Sequence, residues 1–293
     1  MKTRLLALAT LALTLAACSN DDENNNQPVA RFSAEIDGAT LTRATGTDWD
    51  KNDPIGITAT GNTAMNQYTN VKYITTGGDG NFTGTPIYFQ NTGDVTFTAY
   101  YPFTETSKMT EGVLTNNTKT QTIEHQKEID YLFAEAKDKN CNNADVTFTF
   151  YHKMSQITLT FVNSGNDTNI SDITAYTING LKMEGTFNTA NGKATAKADG
   201  KAEDLTISGI SNLSGNEAEV APVILYPQDA TSVTLTVTLG GQNYSCELDI
   251  QDDELKAGNN YTFEITVSKT GLTLNNSSIE KWNPVTGSGT ATM

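Results

Sequence analysis

Val233-Thr234-Leu235-Thr236-Val237-Thr238-Leu239 places an aliphatic residue at every odd position and a threonine at every even one. Side chains of an extended strand point alternately to opposite faces, so this stretch has one apolar face and one wet face. Coiled as a helix, the same residues would be smeared around the whole circumference. The pattern recurs in Val95-Thr96-Phe97-Thr98-Ala99-Tyr100, Val146-Thr147-Phe148-Thr149-Phe150, Ile157-Thr158-Leu159-Thr160-Phe161 and Tyr261-Thr262-Phe263-Glu264-Ile265-Thr266-Val267. Such segments predict sheets buried on one face and solvated on the other, as in a sandwich. Further strands are expected over 29–37, 54–59, 70–76, 86–90, 129–134, 171–179, 204–208, 219–226 and 242–250. Turn clusters such as Gly77-Gly78-Asp79-Gly80 and Asn163-Ser164-Gly165-Asn166 separate them. Leu239-Gly240-Gly241-Gln242-Asn243 joins two alternating stretches and predicts a hairpin. Only 124–139 has any helical character.

The reading is therefore all-β, and 293 residues suit two sandwiches better than one. We expect an N-terminal β-sandwich over 29–150 and a C-terminal β-sandwich over 151–267, followed by a tail over 268–293. With 34 acidic and 19 basic residues the formal net charge is -15. Losing Lys2 and Arg4 with a leader would make it -15 - 2 = -17. Phosphate backbones demand clustered Lys and Arg, so no nucleic-acid partner is expected. Acidity of this size favours solubility and mutual repulsion.

Residues 1–17 combine a basic start, Met1-Lys2-Thr3-Arg4, with a short apolar run ending in small residues, the pattern of a signal peptide. The run is too short to span a bilayer as a stable anchor. Leu15-Ala16-Ala17-Cys18 resembles the bacterial lipobox, in which the cysteine is acylated and becomes the new N-terminus. More than one acyl chain at Cys18 would give lasting membrane attachment. Residues 18–28 then read as a polar tether. Within it, Ser19-Asn20-Asp21-Asp22-Glu23 resembles the signal that sends lipoproteins to the outer face of the outer membrane; an ordinary solvated linker is the alternative.

No constellation for catalysis is evident, and no enzyme is expected. Acid/base and nucleophilic chemistry need a histidine, cysteine or carboxylate set beside a partner in a concave site. The two histidines, His125 and His152, read as structural. Cys18 is spent on lipid, and Cys141 and Cys246 lack Cys-x-x-Cys spacing, so neither a metal site nor any cofactor is predicted. Cys246 shares an inward face with Tyr244 and Leu248 whereas Cys141 lies in a polar loop, which makes them poor disulfide partners. The acidic stretches 165–172 and 249–254 lack an ordered calcium-ligand pattern.

All three arginines, Arg4, Arg31 and Arg43, fall in the first 43 residues, while 15 of the 16 lysines lie beyond them. Leu41-Thr42-Arg43-Ala44-Thr45-Gly46 therefore reads as a loop that an arginine-specific protease could cut without meeting a competing arginine downstream.

The chain resembles the fimbrillin family (Mfa-like, type V pilin) over nearly all of its mature length. The matching stretches, in order, are Thr42-Arg43-Ala44, Trp49-Asp50 and Asp53-Pro54-Ile55-Gly56-Ile57, then Phe82 with Ile87-Tyr88-Phe89, then Ala99-Tyr100-Tyr101-Pro102. Asp130-Tyr131-Leu132-Phe133-Ala134, Phe150-Tyr151-His152-Lys153-Met154-Ser155 and Ile279-Glu280-Lys281-Trp282 complete them. The resemblance implies two tandem transthyretin-like Greek-key β-sandwich domains, export as a lipoprotein, and loss of an N-terminal strand by cleavage after an arginine. Polymerisation would then follow by strand exchange with other fimbrial subunits. Arg43, followed by Ala44, best matches the maturation site; Arg31 is the runner-up.

Cutting at Arg43 would release Ala30, Phe32, Ala34 and Ile36, which share one face of the first strand. At about 1.5 to 3 kcal/mol per side chain the vacated groove would be unfavourable by roughly 10 kcal/mol. The tail over 268–293, in which Leu272 and Leu274 alternate, is a candidate donor strand or an ordinary final strand. The expected location is the outer membrane, through the lipid at Cys18, and then the cell surface as part of a fimbrium, with a host or bacterial surface ligand as a further partner. A second reading is a surface lipoprotein that does not polymerise and binds glycan or host protein, with Tyr68, Tyr73, Tyr100 and Tyr101 as sugar platforms.

Overall fold

The computed structural model describes residues 28–37, 49–61, 68–165, 169–210 and 213–282. Cys18, Arg43 and Ala44 lie outside them. In the first half the strands are β1 (Arg31–Ile36), β2 (Asp53–Gly61), β3 (Val71–Thr75), β4 (Asn81–Gly84), β5 (Val95–Tyr101), β6 (Val113–Asn117), β7 (Leu132–Lys139) and β8 (Asp145–His152). One helix, α1 (Ile123–Ile129), interrupts them. Seven of these strands close into a barrel in the order β1-β4-β3-β2-β5-β7-β8. β1 is the closing piece, antiparallel to β4 and parallel to β8. Closing the sheet on itself gives every strand a buried face and removes both open edges. Phe32, Ile55, Ile57, Phe97, Val146, Phe148 and Phe150 fill the interior.

The second half contributes β9 (Ser155–Asn163), β10 (Ile173–Lys182), β11 (Glu184–Asn188), β12 (Lys193–Ala196), β13 (Ala202–Ser208), β14 (Glu217–Glu219) and β15 (Val223–Leu225). It continues with β16 (Gln228–Asp229), β17 (Val233–Leu239), β18 (Gln242–Leu248), β19 (Glu254–Leu255), β20 (Asn259–Ser268) and β21 (Gly271–Lys281). One sheet runs β13-β10-β17-β18 and the other β14-β9-β20-β21, with β15 also on β9. Between them lie Leu159, Phe161, Ile178, Leu235, Val237, Phe263 and Ile265, all at most 1% exposed. The stretch 233–239 is β17 from end to end, its odd residues buried and its threonines half-buried. The predicted hairpin is present: Leu239 pairs with Gln242, and Gly240 and Gly241 take φ of 56° and 80°, which glycine accepts without a Cβ penalty.

A third cluster joins residues that the sequence places in separate halves. β6 pairs with β11, and β11 with β12. Around this small sheet pack Tyr100, Leu114, Ile129, Tyr131, Met154, Phe187, Tyr226 and Trp282. Tyr131 stacks on Phe187 with centroids 4.5 Å apart, one ring from each half. The main barrel core ends at Phe150 and the sandwich core begins at Ile157.

Local chemistry explains the other departures from expectation. Within 124–139 the helix stops at Ile129 and β7 starts at Leu132, so the expected strand over 129–134 begins three residues late. Thr122 caps the helix by accepting the His125 N–H. Over 86–90 there is a single bridge, Tyr88 to Val29, in place of a strand. β4, β6, β11 and β12 escape prediction because each is only four or five residues long, too short for alternation to stand out, and pairing with a neighbour makes them strands.

Candidate functional site: the slot of the first strand

β1 is held by two neighbours and by the loop ends around it. Its six residues register with β8 from Arg31 opposite Asp145 to Ile36 opposite Phe150. On the other side Phe32 faces Phe82 and Ser33 faces Asn81. The Ala30 N–H donates to Ile87 O, Arg31 to Ala144 O, Ala34 to Gly80 O and Asp37 to Phe150 O, all within 2.8 to 3.0 Å. Trp49 adds a side-chain donor, with Nε1 3.0 Å from Ala34 O. Gly80 lies so near that a Cβ built on it would stand 2.4 Å from Ala34 O.

The inward face of β1 is the predicted one: Ala30, Phe32, Ala34 and Ile36 are each 9% exposed or less. Phe32 is stacked on Phe148 at 5.9 Å and meets the edges of Tyr73 at 4.9 Å and Phe97 at 5.3 Å. Two of the four side chains are alanines, so their burial stabilises the strand by about 6 kcal/mol, less than four large residues would give. The outward face carries a polar ladder. Arg31 pairs with Asp145, Ser33 Oγ lies 3.1 Å from Thr147 Oγ1, and Thr149 Oγ1 donates to Glu35 Oε1 at 3.1 Å. The Arg31 guanidinium holds the Asp145 carboxyl below the usual carboxylate range, and both groups are exposed. As a cleavage point Arg31 sits inside a paired strand, whereas a protease needs an extended unpaired segment. Arg43 lies outside the described residues.

At the other end of the chain, β21 pairs with β20 along its whole length, from Gly271 opposite Ser268 to Lys281 opposite Asn259. It is the outer strand of its sheet and none of its residues is fully buried. Trp282, next in sequence, is 8% exposed; its N–H donates to Gly258 O at 2.7 Å and its ring stacks on His152 at 4.3 Å. His152 Nδ1 in turn lies 2.8 Å from Asp130 Oδ1, both buried. This is a tie between the C-terminal strand and the end of β8.

The remaining candidate groups are spread through the fold. His125 lies against Glu128 and Asn117 O on the surface. No disulfide joins Cys141 to Cys246. Among the described residues no group of three or more His, Cys, Asp or Glu is placed to hold a metal ion. No described helix is long and apolar enough to cross a membrane. The tyrosines read as sugar platforms are not free rings: Tyr73 and Tyr100 are 3% and 2% exposed, and burial pushes each phenol up to about 12. Their hydroxyls donate to Thr85 O and Asn70 Oδ1. Tyr101 is half-buried, its hydroxyl reaching Asp53.

Sequence reading missed Trp49, Gly80 and the outward ladder of β8. Alternation identifies which residues of β8 face the core, but not which strand lies beside it.

The architecture is that of a class of all-β proteins from Bacteroides. A structure described as that of a candidate cell adhesion protein from Bacteroides ovatus superimposes with a TM-score of 0.74 at 27% identity, covering 88% of this chain and 99% of that one. A second, from Bacteroides uniformis, gives 0.70 at 27% identity with the same coverage. A fimbrial protein from Bacteroides vulgatus shares the fold at 15% identity, with a TM-score of 0.50 over 87% of this chain and 100% of that one. No curated protein matches the sequence. A family model described as fimbrillin-like matches residues 42–282. The chain belongs to the fimbrillin-like family.

Proposed function

We propose that this protein is a structural and adhesive subunit of a surface fimbria that polymerises by exchanging its first strand. The precursor is exported as a lipoprotein acylated at Cys18 and held at the outer membrane. An arginine-specific protease then cuts after Arg43, leaving Ala44 as the new N-terminus. β1 departs, and a strand from a neighbouring subunit closes the barrel in its place. Fimbrial subunits are the partners, and the role is structural rather than catalytic. The observation that carries the reading is the position of β1: the strand that closes the barrel lies wholly on the N-terminal side of Arg43. The fimbrillin-like match supports it by beginning at Thr42, so that β1 precedes the matched region. Removing β1 bares two strand edges and an apolar groove, which is the physical drive for taking up a replacement.

The test is to treat purified precursor with an arginine-specific protease. A ladder of oligomers whose N-terminal sequence starts at Ala44 is expected, and the Arg43→Ala precursor should stay monomeric. Cleaved protein that remains monomeric at high concentration would contradict the proposal.

A further inference from the structure

Loss of the first strand by a cut after Arg43, on which this inference rests, does not account for the second arginine inside the strand itself. We propose that the Arg31–Phe32 peptide bond is a further cleavage site for the same protease, closed while β1 is docked and opened by its release, so that the strand is destroyed once it leaves.

The ion pair with Asp145 does not by itself call for an arginine. The two side chains are 69% and 73% exposed, and a pair so open to water contributes little. A lysine here would also place a cation opposite Asp145. Arg31 is the one arginine among the described residues, where every other permanent cation is a lysine. What arginine adds at this position is recognition by an arginine-specific protease.

Docking hides the bond although the Arg31 side chain is exposed. The Arg31 N–H donates to Ala144 O at 3.0 Å, and on the opposite edge the Ala30 N–H donates to Ile87 O and the Ala34 N–H to Gly80 O. Phe32 stands between Val146 and Phe82 in the two registers. Its ring, 5% exposed, is held by Phe148, Tyr73 and Phe97. A protease takes its substrate as an extended strand with free backbone groups, and here those groups are already paired.

Release turns the same residues into a free peptide. Water then adds across the Arg31–Phe32 bond, leaving a carboxylate on Arg31 and an ammonium on Phe32. The cut divides the contacts of the strand between two pieces. The first keeps the Pro28 carbonyl that accepts from the Phe89 N–H, the bridge from Val29 to Tyr88, and the Asp145 pair. The second keeps the Phe32 ring, the Ala34 carbonyl that accepts from Trp49, and the Asp37 N–H. Neither piece spans the slot, and docking both would bring two new charges between β4 and β8 beside a buried ring. The vacated slot is therefore not refilled by its own strand.

The experiment follows purified precursor, labelled in its first segment, through digestion by an arginine-specific protease, with the fragments identified by mass spectrometry. The cut after Arg43 should come first, and fragments 18–31 and 32–43 should appear only as the label leaves the barrel. In the Arg43→Ala precursor the Arg31 site should be cut about 100-fold more slowly than in a synthetic peptide of residues 28–37. Arg31→Lys, which keeps a cation opposite Asp145, should leave the cut after Arg43 unchanged, leave 18–43 whole and slow the oligomer ladder, because the intact strand rebinds. With the protease inhibited, whole 18–43 added to cut protein should block the ladder at about 100-fold lower concentration than an equimolar mixture of 18–31 and 32–43. Cutting at Arg31 in the Arg43→Ala precursor as fast as in the peptide, a released segment that survives whole, or equal blocking by the whole and divided segments would overturn the inference. So would an Arg31→Lys ladder as fast as that of the unaltered protein. Strand exchange would still stand in each case, since it is read separately from the Ala44 N-terminus and the ladder. If neither the cut after Arg43 nor a ladder is seen, both readings fall together.

Discussion

β1 and β21 are both terminal strands of the described chain, and they carry opposite loads. β1 is clamped between β4 and β8, buries three side chains, with Ala30 just before it a fourth, and closes a barrel. β21 touches its sheet through β20 alone, and most of its residues are exposed. Yet β21 is longer, at 11 residues against 6. Backbone pairing is thus no measure of what a strand contributes, because each hydrogen bond replaces one with water and adds only about 1 kcal/mol. What distinguishes β1 is the apolar surface it takes out of water and the two edges it covers. A short strand of that kind is a switch: its removal changes the state of a whole sheet, whereas the loss of β21 would shorten one.

The sharpest way to break this contrast is to empty the slot's pocket in the intact precursor. Phe32→Ala should destabilise the barrel by about 3 to 5 kcal/mol, read as a lowered denaturant midpoint by tryptophan fluorescence. Trp282→Ala should come next, at about 3 kcal/mol, because it opens the tie to His152 at the rim of the third cluster. Leu274→Ala, in the half-exposed face of β21, should cost about 1 kcal/mol in the same titration. If Leu274→Ala proved costlier than Phe32→Ala, β21 and not β1 would be the strand on which the fold depends.

The smallest effect concerns acid. Arg31 depresses the Asp145 pKa in the folded protein, so their pairing stabilises above the unfolded carboxylate range and fades as pH falls through the lower folded value. Asp145→Asn should therefore flatten the acid limb of β1 docking below about pH 4 and leave neutral behaviour nearly unchanged. Release of the labelled first segment from cut precursor, monitored from pH 7 to pH 3, measures this; an identical acid limb in the variant would show the pair to be idle.

Much of the fold was legible because alternation is a local signal. Every one of the five long alternating stretches is a strand, and the Gly240-Gly241 hairpin pairs as predicted. The face of β1 was legible too, since the inward set of Ala30, Phe32, Ala34 and Ile36 comes from period two alone. Among the strands that escaped, β6 and β11 exist because residues 113–117 meet residues 184–188, and β12 because it pairs with β11. For the same reason 86–90, apolar as it is, remains a bridge, its one partner being Val29. Tyr73 and Tyr100 show the limit from the other side, since an aromatic in a strand reads equally as platform or core until its neighbours are known.

The sequence by itself determined that the chain is built of one-sided strands, which residues of each strand face inward, and that arginine is confined to the first 43 residues. Only the tertiary structure decided that the first strand lies between β4 and β8, parallel to one and antiparallel to the other, with Trp49 and Asp145 aimed at it. The physical reason is range. Side-chain alternation is fixed by the geometry of two consecutive peptides, while the two neighbours of the first strand are chosen by burial and pairing with residues about fifty and more than a hundred positions away, which no local period records.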